Sequence, residues 1–280
     1  MITGKTNIVG LIGDPVEHSM SPPMHNAAFE YLGLDFAYVP FNVKTTALGE
    51  AIKCASALGI KGLNVTIPHK TNVLEFLDVV DNPAELIGAV NTIKFVNGKI
   101  IGYNTDGIGA VRALEEVVQV KNKKVVLAGA GGAARAVTFQ LILSGIESIT
   151  IINRTLEKAL KLKNEIESKI DSNIFYGNLE ILEKEISKAD ILINTTPIGM
   201  YPHTNDKPLA NASMMHSDLV VNDLVYNPME TVLLKEAEKA GAKSVSGLKM
   251  LLYQGAEAFK IWTGQEPPVD IMEKTLLALL

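Results

Sequence analysis

Residues 124 to 136 read KVVLAGAGGAARA. An apolar, β-branched run passes straight into closely spaced glycines and then into an alanine-rich segment, which predicts strand, tight turn and helix. Gly129, Gly131 and Ala134 fit the GxGxxG/A spacing. In that spacing the first glycine makes the turn, the second lets backbone approach a pyrophosphate, and the third position allows close helix packing. Phosphate then meets the free N–H groups at a helix N-terminus, where the macrodipole also favours negative charge. Glycines cluster in ordinary turns as well, so the flanking strand and helix select the dinucleotide reading.

Working downstream, alternating strands and helices are expected, with strands at 124–128, 148–153, 173–176, 190–194, 219–224 and 243–245. About six strands with intervening helices is the layout of a doubly wound, Rossmann-like fold. In such folds an acid about 20 positions after the glycines binds the ribose hydroxyls of NAD. Here the second strand ends in Asn153, Arg154 and Thr155. A planar guanidinium suits a 2′-phosphate, through paired charge-assisted hydrogen bonds, so NADP is favoured over NAD. The competing reading has Arg154 solvating a loop while Asn153 and Thr155 cap the next helix. Residues 197–217 show no clear periodicity and read as an ordered loop at a functional edge.

The composition is that of an ordinary soluble globular protein: 280 residues, 47% apolar, 20% charged and a net charge of -5. That length predicts two domains, and the charge balance argues against nucleic acid as a partner. No apolar run reaches membrane-spanning length and no signal peptide is evident, so the cytoplasm is the expected location. The one cysteine, Cys54, precludes an intrachain disulfide and is read as small core packing in a helix.

Upstream, TNIVGLIG, DFAYVPFNV and GLNVTIP read as strands. MHNAAFEYLG, TTALGEAIKCASALG (with its threonines as N-cap) and HKTNVLEFLDVV read as helices. The alternation predicts an N-terminal α/β domain with a mainly parallel sheet. A short helix is expected around 83–87, then a β-hairpin turning at Asn97-Gly98, since that dipeptide supplies the positive φ angles of a type I′ turn. Two amphipathic helices close the chain and are expected to return to the first domain. The expected boundaries are 1–105 with 248–280, and 106–247, with the crevice between the domains as ligand site.

Polar residues crowd the predicted ends of the N-terminal strands: Ser19, Ser21, Asn64, Thr66, Lys70, Asn91, Asn104, Thr105 and Asp106. Hydroxyls, amides, an amine and a carboxylate suit a small polyhydroxylated ligand, although singly most of them could cap helices or shape turns. Lys70 is placed by this reading in the first turn of a helix starting near His69, where the macrodipole disfavours a cation and so favours the neutral amine. Asp106 could equally cap a helix. The five histidines have no metal-ligand spacing, and no metal is assigned. Trp262 reads as core or interface packing.

Together these residues resemble the shikimate dehydrogenase family, through SMSPPMHN at 19–26, NVTIPHK at 64–70, GAVNT at 88–92, GYNTDGIG at 102–109, GAGGAARA at 129–136, NRT at 153–155, NTTPIGM at 194–200, YNP at 226–228 and GLKMLLYQGA at 247–256. The resemblance spans nearly the whole chain. It implies NADPH-dependent reduction of 3-dehydroshikimate to shikimate on the route to chorismate and the aromatic amino acids. No fused dehydroquinase domain fits in the chain, so the monofunctional form is implied.

By the same resemblance, Ser19 and Ser21, helped by Thr66, hold the substrate carboxylate. Asn91, Asp106 and Gln254 bind the ring hydroxyls, Asn64 and Tyr226 line the pocket, and Lys70 is the catalytic amine, with Asp106 orienting the hydroxyls and favouring the ammonium. Gly129, Ala130, Gly131, Gly132 and Ala133 cradle the pyrophosphate. Asn153, Arg154 and Thr155 face the 2′-phosphate, and Thr195, Gly247 and Met250 lie toward the nicotinamide half. Substrate on one domain and cofactor on the other imply hinge closure. The implied partner is the small-molecule substrate alone, neither nucleic acid nor membrane, with a homodimer left open. Two alternatives remain: a quinate/shikimate dehydrogenase of broader specificity, against which Arg154 argues, and a non-catalytic dinucleotide-binding regulator, against which Lys70 and Asp106 together argue.

Overall fold

The computed structural model describes residues 2–280. The first half contributes β1 (Asn7–Gly13), α1 (Ser21–Tyr31), β2 (Phe36–Asn42), α2 (Leu48–Ala57), β3 (Gly62–Val65), β4 (Val79–Val80), α3 (Asn82–Ile87), β5 (Thr92–Val96) and β6 (Lys99–Tyr103). They form one six-stranded sheet, ordered β2-β1-β3-β5-β6-β4. β1 runs parallel to β2 and β3, and β4 runs parallel to β6, while β5 is antiparallel to both of its neighbours. The reversal comes from the expected hairpin: Asn97 and Gly98 have φ of 50° and 73°, the type I′ signature that matches strand twist. A core of Ile12, Leu48, Ile52, Leu63, Val65 and Ile93 joins sheet to helices.

Three local expectations are corrected. HKTNVLEFLDVV is not an α-helix: a turn at 70–71 leads into a 3-10 helix at Asn72–Phe76, and Val79–Val80 is strand β4. The paired valines find backbone partners at the sheet edge, where Val79 lies against Ile101 and Val80 against Gly102. β-branched residues favour that outcome, and 3-10 turns serve as short connectors. Thr45 and Thr46 do not cap α2, because they lie within a 3-10 turn and Ala47 is the N-cap. Cys54 is exposed. α2 buries Leu48, Ile52 and Ala55, a four-then-three spacing that turns position 54 outward.

The second half supplies α4 (Asp106–Glu115), β7 (Lys124–Ala128), α5 (Gly132–Leu143), β8 (Ser148–Ile152), α6 (Leu156–Glu167), β9 (Ile174–Gly177), α7 (Leu182–Ile186), β10 (Ile191–Asn194), β11 (Val220–Asp223), α8 (Val232–Lys239) and β12 (Lys243–Ser246). All six strands are parallel, in the order β9-β8-β7-β10-β11-β12. This is a Rossmann-like doubly wound sheet. Its order reverses between β7 and β10, the place where such sheets open a crevice at their carboxyl ends. The loop from Pro197 to Ser217 is irregular save for a 3-10 turn at Ala212–Met214, capped by Asn211.

The chain ends in α9 (Gly247–Thr263) and α10 (Val269–Leu277). α10 packs against α1. Trp262 of α9 lies over Gly62 of β3, where a Cβ would come within 2.1 Å of the indole nitrogen, and its N–H donates to the Ile93 carbonyl at 2.9 Å. The chain divides into two compact units: residues up to Thr105 with Leu252–Leu280, and Asp106–Leu251. The division falls inside α9, whose unbroken helical pattern gives the sequence no signal there, rather than at the expected 247/248 boundary.

Candidate active site

The glycine turn joins β7 to α5. Gly129 has φ of 115°, and a Cβ there would come within 2.3 Å of the Thr195 hydroxyl, so the position takes no side chain on either count. Thr195, just past β10, donates its hydroxyl to the Ala128 carbonyl at 2.7 Å. Around Gly131 and Gly132 the opposite holds: a Cβ at either would meet nothing within 4 Å. Gly131 is the N-cap of α5 and makes no side-chain cap, which leaves the first-turn N–H groups of a twelve-residue helix facing an open, exposed cradle. Such a cradle fits a pyrophosphate. Ala130 and Ala133 complete the turn and the first helical turn.

At the end of β8, Arg154 is exposed and makes neither ion pair nor side-chain hydrogen bond among the described residues. Asn153 donates one N–H of its amide to the Thr155 carbonyl at 2.8 Å, and Thr155 occupies the N-cap of α6 without a side-chain cap bond. The capping alternative for Thr155 therefore has no hydrogen bond behind it. Gly247 opens α9 against the Leu224 carbonyl, and Met250 follows in the same turn.

The polar residues of the first unit are joined by a buried, uncharged network. Asn64, in β3, accepts from the Tyr38 hydroxyl at 2.8 Å and donates to the Asn91 carbonyl at 3.2 Å and the Thr92 hydroxyl at 3.1 Å. The Asn91 amide donates to Thr105 Oγ1 at 2.9 Å and to Gln254 Oε1 at 3.5 Å, while its Oδ1 accepts from the Thr105 N–H at 2.7 Å. Ser21, the first residue of α1 and buried, hydrogen-bonds to the Tyr38 phenol, and its own N–H reaches Ser19 Oγ at 3.3 Å. Burial holds the phenol in its neutral form, pushing its pKa well above the usual range. Ser19, Ser21, Asn64, Asn91 and Gln254 are thus linked in one network. The Thr66 hydroxyl makes no hydrogen bond among the described residues, and Tyr226 is exposed in the loop after β11.

Lys70 is half-buried in the turn after β3. Its carbonyl accepts from Val90 N–H at 2.8 Å. With no α-helix beginning at His69, the expected macrodipole effect on the amine has no source. What fixes the turn is His69, fully buried, whose Nε2–H donates to the Val43 carbonyl at 2.6 Å and whose N–H donates to Thr66 O at 2.9 Å. A carbonyl only accepts, so that ring nitrogen carries the proton. Asp106 opens α4, a position the macrodipole favours for a carboxylate.

The sequence does not mark Tyr38, Thr92 or His69 as part of the site. Tyr38 and His69 act across 26 residues each. The one sequence clue is strand alternation in FAYVPF, which points Tyr38 to the same face as Phe36 and Pro40.

Family models match in chain order: a shikimate dehydrogenase substrate-binding domain at residues 11–93, shikimate/quinate 5-dehydrogenase at 112–226, and a shikimate 5′-dehydrogenase C-terminal domain at 247–277. A curated relative from Methanobrevibacter smithii, a shikimate dehydrogenase (NADP+), is 60% identical over 99% of this chain and 98% of its own. A crystal structure of a shikimate dehydrogenase in complex with NADP+ superposes with a TM-score of 0.95 at 52% identity, covering 100% of this chain and 97% of that one. The shikimate 5-dehydrogenase of Listeria monocytogenes, in complex with shikimate and NAD, gives 0.94 at 42% identity, with 98% of both chains covered. With the glycine cradle, Arg154 and the Asn64–Asn91–Gln254 network all in place on a chain matched from end to end, the protein belongs to the shikimate dehydrogenase family.

Proposed function

We propose that this chain catalyses the reversible reduction of 3-dehydroshikimate to shikimate with NADPH, a step toward chorismate and the aromatic amino acids. The observation that carries the reading is end-to-end likeness to a relative named for shikimate and NADP+, at 60% identity. Geometry supports it from both sides: an open cradle followed by an unpaired arginine, and a neutral hydrogen-bonding network suited to a polyhydroxylated ring.

Ser19 and Ser21, with Thr66, take the substrate carboxylate. Asn91, Asp106 and Gln254 take its hydroxyls, and Asn64 and Tyr226 line the pocket. Fixing the ring in this way replaces a costly bimolecular encounter with an oriented one. NADPH, when bound, supplies the hydride. As the carbonyl carbon is reduced, negative charge grows on its oxygen, and Lys70 gives that oxygen a proton. In the oxidising direction Lys70 receives it back. Gly129 to Ala133 hold the pyrophosphate, Asn153, Arg154 and Thr155 the 2′-phosphate, and Thr195, Gly247 and Met250 the nicotinamide half.

The partner is a small molecule. No helix among the described residues is long and apolar enough to cross a membrane; we place the protein in the cytoplasm, and a homodimer, to be read by sedimentation, is compatible with this function. The test is shikimate oxidation followed by NADPH absorbance, repeated with NAD+ and with quinate. Turnover of shikimate with NADP+ above either substitute supports the reading. No turnover with either cofactor would sink it, and equal turnover of quinate would move the protein to the broader-specificity alternative.

A further inference from the structure

Asp223 has no exposed surface, and the reduction described above makes no use of its carboxylate. It ends β11 in register with Asn194 at the end of β10, which is in register with Ala128 at the end of β7. Three neighbouring strand ends therefore form one row beside the glycine turn. Asn194 Nδ2 donates to Asp223 Oδ1 at 2.9 Å, and Asn194 Oδ1 accepts from Thr196 Oγ1 at 2.6 Å and Thr196 N–H at 3.0 Å. An amide can present either end to a neighbour, but a carboxylate only accepts. Asp223 thus holds the nitrogen of Asn194 toward itself and its oxygen toward Thr196.

Thr195 sits between those two residues. Its N–H and hydroxyl both donate to the Ala128 carbonyl, at 2.9 and 2.7 Å, so its side chain occupies the space over Gly129. The rest of the carboxylate is also engaged: Val225 N–H donates to Oδ1 at 3.1 Å and the Thr231 hydroxyl to Oδ2 at 2.6 Å. All of these donors are neutral, and burial pushes the Asp223 carboxyl above the ordinary carboxylate range. A carboxylate buried without a cation is an expensive way to finish a strand.

We propose that Asp223 is a positioning residue for the cofactor: by fixing the Asn194 amide it sets the 194–196 turn against Gly129, and with it the seat of the dinucleotide. This rests on the NADP reading of the glycine turn. The test measures NADP+ dissociation constants by calorimetry and steady-state constants on the full chain, for the unsubstituted protein, Asp223→Ala, Asp223→Asn, Thr195→Val and the Asp223→Ala/Thr195→Val double variant.

Asp223→Ala is expected to weaken NADP+ about tenfold, the size of one hydrogen bond to a charged group, with kcat at saturation within about threefold. Asp223→Asn keeps an oxygen for Asn194 and turns its amide nitrogen to Thr231, so it restores most of the affinity. On the Thr195→Val background, Asp223→Ala adds less than about threefold, because residues acting through one another are not additive. Unchanged NADP+ affinity in Asp223→Ala, full additivity, or a parallel fall of affinity, kcat and melting temperature in both the Ala and Asn variants would overturn the proposal. Should Asp223→Ala fail to fold, Thr196→Val releases the other end of the Asn194 clamp. It is expected to weaken NADP+ about threefold, less than a full buried hydrogen bond, and no change there overturns the proposal as well. If the unsubstituted protein binds NADP+ and Asp223→Ala binds it equally, this proposal alone falls. If the unsubstituted protein does not bind NADP+, the cofactor reading falls and takes the proposal with it.

Discussion

The Tyr38 hydroxyl donates to Asn64 Oδ1 at 2.8 Å where both side chains are buried. That bond leaves the Asn64 amide nitrogen pointing at Thr92 and the Asn91 carbonyl, and the same phenol is hydrogen-bonded to Ser21. One residue that touches no substrate in our account therefore orients two that do. Tyr38→Phe keeps the ring, which stacks on His25 at 4.6 Å, and deletes only the hydroxyl. Leaving a buried acceptor unpaired costs about 1–3 kcal/mol. Steady-state kinetics should show the shikimate KM rising about 5- to 30-fold with the NADP+ KM unmoved, the ratio expected for one to two kcal/mol. Equal shifts in both constants would assign Tyr38 a general structural role instead.

His25 is wholly buried among Phe29, Tyr38, Phe259 and Trp262, and burial pulls its pKa from 6.5 to about 3. The folded protein therefore holds the imidazole neutral where the unfolded chain would bind a proton. Stability from this source is intact above pH 6.5 and is lost as pH falls toward 3, at up to about 1.4 kcal/mol per unit. Urea denaturation at pH 7 and pH 5 should show a steeper loss for the unsubstituted protein than for His25→Phe. Identical slopes would show that the imidazole is not held neutral.

Arg154 stands exposed and unpaired at the end of β8. If its guanidinium meets the 2′-phosphate, Arg154→Ala should raise the NADP+ KM about 10- to 100-fold, the worth of a charge-assisted hydrogen bond, and leave the NAD+ KM unchanged. Equal weakening toward both cofactors would remove the 2′-phosphate assignment.

What the sequence showed and what it hid divide along a physical line. The turn at Gly129, the hairpin at Asn97-Gly98 and the positions of the strands in the second unit are written in local chemistry, because glycine, asparagine and β-branched runs act within a few residues of themselves. HKTNVLEFLDVV misled because its apolar spacing suits a helix, while the sheet edge beside Ile101 and Gly102 offered Val79 and Val80 better partners. Cys54 misled because membership of a helix does not say which face is buried. The tethers through Tyr38, His69 and Asp223 were invisible for another reason: each pairs residues far apart in the chain, and nothing in either segment alone announces the other. Lys70, Arg154 and Thr195 stand out in the sequence by type and motif; the groups that fix Asn64, the Lys70 turn and the 194–196 turn do not.

In the proposed reaction Lys70 passes the proton when hydride moves between NADP(H) and shikimate. Its most direct test is kcat for NADP+-dependent shikimate oxidation by Lys70→Ala beside the unsubstituted chain, with shikimate affinity measured by calorimetry on the same preparations. A proton-passing lysine requires a fall of about 10²- to 10⁴-fold in kcat, the usual size of a lost general acid or base, with shikimate affinity nearly unchanged. An unaltered kcat with affinity lost would contradict it, making Lys70 a substrate clamp and placing the proton donor elsewhere.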